Sequence, residues 1–227
     1  ATQFNWTYSY CSDTSNVNTV GPSNSSCAGM LIVNRTMLDT AISDDSYSIS
    51  LSGQAYTFGN SSHNIYTGQI TNMYGIFNGD SNFNEDIGYW DVSNVTNMNT
   101  MFANASAFNQ DISGWNVSSV TDMTQMFDAA TEFNQNINGW NVSSVTSMES
   151  TFRGGKFNQD ISGWNVSNVT SMQQMFQSAT FFNQNIDSWD VSSVTTMHLM
   201  FMSADNFNQN LNGWNVSSVT DMTQMFY

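Results

Sequence analysis

The sequence predicts an α/β repeat fold, a solenoid with a parallel sheet behind a small N-terminal cap, and three observations carry that expectation. Six tryptophans, Trp90, Trp115, Trp140, Trp164, Trp189 and Trp214, follow one another at spacings of 25, 25, 24, 25 and 25. Two phenylalanine ladders keep the same steps: Phe77, Phe102, Phe127, Phe152, Phe176, Phe201 and Phe226, then Phe83, Phe108, Phe133, Phe157, Phe182 and Phe207. Within each unit the apolar spacing reads as a short strand and then one helical turn. A fixed period of roughly 20 to 50 residues marks stacked supersecondary units, none of which buries its apolar side alone.

Residues 1–57 match nothing in the repeat and are read as the cap over the first coil. They hold the two cysteines, the lone Pro22 and an alternating strand-like stretch, Tyr47-Ser48-Ile49-Ser50-Leu51. Cys11 and Cys27 flank a Ser/Asn/Gly/Pro-rich loop, and a bridge across it would stabilise by about 3 kcal/mol. A disulfide, and with it an oxidising compartment, is the expectation. Two buried free thiols are the alternative. The array spans 58–227 and opens on a degenerate unit, with Phe58, Ile65, Thr67, Ile70, Thr71, Met73 and Phe77 in the matching slots. In a full unit, Trp115-Asn116-Val117 supplies a strand with Trp and Val inward and Asn outward. Met123, Met126 and Phe127 suit a single helical or 3₁₀ turn packing back on the sheet, with methionine filling gaps between layers. The spacing opens like a leucine-rich repeat.

The motif W-[DN]-V-S-[SN]-V-T-x-M-x-x-M-F, followed by F-N-Q-[DN]-[IL], resembles the BspA-like leucine-rich repeat surface proteins over residues 58–227. The resemblance implies a right-handed, leucine-rich-repeat-like solenoid on secreted or cell-surface proteins, adhesive or interaction-mediating, with no catalytic residues.

Eighteen acidic groups against 3 basic ones give a formal net charge of −15, which excludes nucleic acid as a partner. Disorder is not expected, because only 9% of residues are charged while 14% are aromatic. No apolar run reaches the roughly 18 to 20 residues of a membrane-spanning helix. The chain begins Ala1-Thr2-Gln3 without a methionine, as a mature secreted chain does, so the expected location is extracellular or at the cell surface.

Asn84, Asn109, Asn134, Asn158, Asn183 and Asn208 form a ladder whose amides are expected to satisfy the backbone of neighbouring coils. Two residues on, Asp86, Asp111, Asn136, Asp160, Asn185 and Asn210 offer oxygens of the kind that bind Ca²⁺, although a solvated acidic stripe explains the same letters; no cofactor is expected. Histidine occurs only at His63 and His198, in different coils and outside any reactive constellation, so the chain is read as a non-enzyme. Sequons for N-glycosylation stand at Asn5, Asn24, Asn34, Asn60, Asn94, Asn104, Asn116, Asn141, Asn165, Asn168 and Asn215.

One linker breaks the rule: Arg153-Gly154-Gly155-Lys156 has four residues where the other coils have five. It is either a drifted loop or a basic docking point on an acidic body, lateral and salt-sensitive. Phe181, Leu199 and Met202 are apolar where other coils are polar or Ala, which suggests an interface. The array stops at Met225-Phe226-Tyr227 in mid-unit, presenting Trp214, Val216, Met222, Met225 and Phe226. The expectation is head-to-tail stacking of copies, the open coil of one on the N-terminal cap of the next, in an extracellular filament or surface layer. The runner-up is a surface adhesin binding a host or matrix component.

Overall fold

The computed structural model describes residues 10–11, 13–59 and 64–227. It overturns the α/β solenoid with a parallel sheet. Besides helical backbone at Tyr10 and Cys11 and a 3₁₀ turn at Thr14–Asn16, the described residues hold one whole α-helix and four short strands in two small sheets. β1 (Leu31–Ile32) precedes α1 (Arg35–Ser43), then come β2 (Ser48–Leu51), β3 (Gln54–Thr57) and β4 (Ile65–Tyr66). β1 pairs in parallel with β4, and β2 pairs antiparallel with β3. Everything after β4 is irregular, made of turns joined by isolated parallel bridges that run Asn72, Asn97, Asp122, Ser147, Ser171, Thr196, Asp221.

Backbone chemistry explains why the expected strand and helical turn are absent. At the expected strand the Ser118 N–H bonds Asn116 Oδ1 at 3.2 Å and the Val120 N–H bonds the Val117 carbonyl at 2.9 Å. Both bonds curl the chain where a strand would extend it. In the Met123-to-Ala130 segment alternate N–H groups go different ways. Met123, Gln125, Phe127 and Ala129 donate to Ser147, Glu149, Thr151 and Arg153 of the next repeat, at 3.1, 2.7, 3.0 and 2.8 Å. Met126, Asp128 and Ala130 donate three residues back, each at 3.1 Å. No run of helical i to i−4 bonds develops, yet each of these donors is satisfied. The alternation requires left-handed residues: Gln125 has φ 55° and Ala129 φ 54°, at the positions Gly75 and Gly79 hold in the first repeat. A side chain there costs about 1–2 kcal/mol, and the bond to the next repeat holds the conformation in place.

The periodic aromatics do bury. Trp90, Trp115, Trp140, Trp164 and Trp189 are buried and Trp214 is half-buried. The Trp115 and Trp140 rings stack at 6.4 Å, and the indole N–H of Trp115, Trp140, Trp164 and Trp189 donates at 3.1 Å to the carbonyl of Ile87, Ile112, Ile137 or Ile161. Paired phenylalanines stack within a repeat, as Phe127 on Phe133 at 3.9 Å, and between repeats, as Phe102 on Phe127 at 5.5 Å. One contiguous apolar cluster runs from Leu31 to Met225.

The N-terminal region seats against the first repeat. Asn34 caps α1 by accepting the Met37 N–H at 3.0 Å, and Leu38 and Ala41 enter the core. Arg35 donates to the Asn72 carbonyl at 3.3 Å, taking the role that a preceding repeat plays when Met73 donates to Asn97 at 2.9 Å. The Tyr47 hydroxyl donates to Asp80 Oδ2 at 2.5 Å, and burial together with that carboxylate pushes the phenol well above its ordinary range. Tyr89 donates to the Phe58 carbonyl at 2.8 Å and is pushed up to about 12 by burial.

Candidate functional site

The polar ladders are the feature most regularly placed on the surface, and their bonds show what each column does. Oδ1 of Asn84, Asn109, Asn134, Asn158 and Asn183 accepts the backbone N–H of the next ladder asparagine at 2.9, 3.0, 2.9, 2.9 and 2.9 Å. The glutamine that follows strengthens the same link: Gln110, Gln135 and Gln184 reach the carbonyls of Asn84, Asn109 and Asn158 at 2.8, 2.8 and 2.9 Å. These amides tie one repeat to the next.

The column considered for Ca²⁺ is a set of turn-formers. Oδ1 of Asp86, Asp111, Asn136, Asp160, Asn185 and Asn210 accepts the N–H two residues on, at distances between 2.8 and 3.2 Å. Only the oxygen is needed for this turn, which is why Asp and Asn interchange. Among the described residues no group of three or more His, Cys, Asp or Glu is placed to hold a metal.

Hydrogen bonds from Ser113 hold the Asp111 carboxyl below its ordinary value of 3.8, bonds from Ser162 do the same for Asp160, and Ser192 does so for Asp190. A depressed native value stabilises the fold above the unfolded value, and that contribution is lost as pH falls through the native one. Thermal unfolding followed from pH 7 to pH 2 is therefore expected to show this loss only below about pH 4. A midpoint that rises steadily down to pH 2 would contradict the assignment.

The irregular linker is internally paired. Arg153 forms a two-pronged bond to Asp128 of the preceding repeat, Nε to Oδ1 at 2.7 Å and Nη2 to Oδ2 at 2.6 Å, and the Asp128 side chain is only 6% exposed. Lys156 pairs with Glu132. A docking role for these cations would compete with those partners. Asp128→Ala removes charge-assisted bonds from a buried carboxylate site and leaves Arg153 unpaired, for an expected loss of about 2 kcal/mol in urea unfolding. Glu132→Ala, at an exposed pair, should change stability by no more than about 0.5 kcal/mol. Equal losses at the two sites would refute the distinction.

His198 places Nδ1 3.9 Å from Asp221 Oδ2, and His63 lies outside the described residues. Phe181 is exposed, whereas Leu199 and Met202 are half-buried; Met202 Sδ accepts from Gln177 Nε2 at 3.5 Å.

The family described as "Mycoplasma protein of unknown function, DUF285" matches residues 49–156 and, overlapping them, 140–227. The chain belongs to the DUF285 family. No curated protein and no solved structure matches it. The overlap at 140–156 is what a repeated unit produces, because the same pattern can be laid on neighbouring copies. In this DUF285 chain the match begins inside β2 and takes in every tryptophan of the period.

Outside the matched stretch, Cys11 and Cys27 form a disulfide, and both sulfurs are buried beside Ile32. Of the sequon asparagines, Asn5 and Asn60 lie outside the described residues, and the other nine are exposed. Among the residues read as an assembly surface, Val216, Met222 and Phe226 are exposed, Trp214 is half-buried and Met225 is buried. Among the described residues no helix is long and apolar enough to cross a membrane. Sequence reasoning missed the positioning roles of Arg35 and Tyr47. Arg35 had a signal, as one of only 3 basic residues in the chain.

Proposed function

We propose that this DUF285 chain is an extracellular structural repeat protein of the BspA-like kind that assembles with copies of itself. The observation that carries the reading is the use of its polar side chains. Ladder asparagines and the Arg153 guanidinium hold repeats together, and the turn-forming aspartates fix the turns within each repeat, which is a framework's use of those groups. The Cys11–Cys27 disulfide supports the extracellular part, since such bridges persist in oxidising compartments.

Self-assembly would use the exposed apolar residues Val216, Met222 and Phe226 against the N-terminal region of another copy. Each square ångström of apolar surface covered contributes about 25 cal/mol before association entropy is subtracted. Sedimentation velocity on the native protein tests this. Polymers that dissociate when Met222 and Phe226 are replaced by Asp support assembly. A stable monomer that binds a matrix component favours the second reading, an adhesin, for which the exposed Phe181 is the contact to replace.

A further inference from the structure

The sequons are not equivalent once their side-chain bonds are compared. Asn116, Asn141, Asn165 and Asn215 share one repeat position, directly after the period's tryptophan, and all four are exposed. In each, Oδ1 accepts the N–H of the serine two residues on, at 3.2, 3.2, 3.1 and 3.2 Å. At Asn116 and Asn165 the same serine's hydroxyl adds a second bond to Oδ1, at 2.7 and 2.8 Å. The carboxamide oxygen is thereby fixed to the chain, while Nδ2 has no partner among the described residues. Asn94 and Asn168 are the contrast. Their Nδ2 donates to the carbonyls of Gly68 and Ser143, in the preceding repeat, at 2.8 and 2.7 Å. A substituent on that nitrogen replaces one of its two hydrogens and must fit beside a bond that ties repeats together, whereas on the first four it meets no such bond.

We propose that this column is a glycan attachment stripe, with Asn116, Asn165 and Asn215 as its principal sites. Attachment joins Nδ2 to the anomeric carbon of a diphosphate-linked sugar donor. The N–C bond forms as the C–O bond to the diphosphate breaks, the diphosphate leaves with the electron pair, and one Nδ2 proton is released. Spacing then decides occupancy. Successive repeats stack closely, with the Trp115 and Trp140 rings 6.4 Å apart, so the asparagines that follow those tryptophans are near neighbours. Asp91 and Asp190 hold the same turn, accepting Ser93 and Ser192 N–H at 3.0 and 3.1 Å, but as carboxylates they cannot be modified in this way. Asn116 and Asn215 therefore each follow an unmodified repeat, and Asn165 precedes one. Asn141 alone stands between two acceptors and is the crowded member. A sugar on every column site would crowd this stripe while leaving the Asn84-to-Asn208 ladder face bare.

The inference rests on the extracellular reading, and the test separates the two. With only 3 Lys and Arg in the chain, chymotrypsin is the suitable protease, because it cuts at the periodic aromatics; Asn165 and Asn168 stay on one peptide, Asn165 to Phe176, and fragmentation of that peptide assigns the sugar to one or the other. Protein taken from its own cells is divided into extracellular and cell-bound fractions, digested, and its peptides are weighed by mass spectrometry. The expected result is hexose or hexosamine mass on the peptides of Asn116, Asn165 and Asn215, less on Asn141, and none on Asn94 or Asn168. In the variant Ser118→Ala sugar should vanish from Asn116 and rise at Asn141, while Ser118→Thr keeps the original pattern. A bare column overturns the stripe, and if that bare chain is found outside the cell the extracellular reading still stands. Equal sugar on Asn94 or Asn168 overturns the selection by free Nδ2.

Discussion

Replacing Trp140 with Ala is expected to lower unfolding free energy by about 3–5 kcal/mol, as truncation of a buried aromatic does. Trp140 is 4% exposed, its ring lies flat on that of Trp115, and its centroid is 6.4 Å from that of Phe127. Its indole N–H also donates to the Ile112 carbonyl, so removal takes one of that carbonyl's two donors, the Trp115 N–H at 3.1 Å being the other, and leaves a cavity. Trp214→Ala is the internal control. That ring is half-buried and keeps its indole bond to Ile186 at 2.9 Å, so about half the loss is expected. Urea unfolding of both variants decides the matter. A loss under 1 kcal/mol for Trp140→Ala, or equal losses for the two, would show that the tryptophan column does not carry the packing.

How much of this was legible depends on which interaction sets each feature. The register was legible, because burial of Trp115 on Trp140 and Phe102 on Phe127 needs identical side chains at a fixed period, and a period is visible in letters. The same letters mislead about secondary structure. Trp115-Asn116-Val117 alternates as a strand does, but the Asn116 side chain competes for the Ser118 N–H and turns the chain. The Met123-to-Phe127 spacing suits a helical turn, yet the N–H of Gln125 goes to Glu149 of the next repeat, and nothing in a lone repeat announces that. A trace existed in the alignment of Gly75 with Gln125 and of Gly79 with Ala129, where a left-handed backbone first takes glycine and then tolerates other residues. At the candidate site the Asn ladder was readable from its period. The two-pronged Arg153–Asp128 pair was not read, although its partners lie 25 residues apart, one repeat step.

Breaking the Cys11–Cys27 bridge is expected to lower stability by about 3 kcal/mol, because it closes a loop with a sequence separation of 16. The location of that loss matters more than its size. Cys11, Cys27 and Ile32 form a small apolar cluster of their own, separate from the long core. Among the described residues it is tied to the array where Gln69 Nε2 donates to the carbonyls of Cys11 and Asp13 at 2.6 and 2.8 Å, where β1 pairs with β4, and where Tyr66 packs against it. The close fit of Gly21 against Cys27, where an added Cβ would come within 2.1 Å of the Cys27 carbonyl oxygen, shows how tightly the loop is closed. Without the bridge, the segment from Cys11 to Met30 should open while the repeats after Met73 keep their cross-repeat bonds. Hydrogen exchange on Cys11→Ser/Cys27→Ser should therefore show lost protection at Gly21 and Met30 and unchanged protection at Met123 and Phe127. Simultaneous loss at all four amides would mean that the N-terminal region and the repeats unfold as one unit, and the two-cluster account would fall.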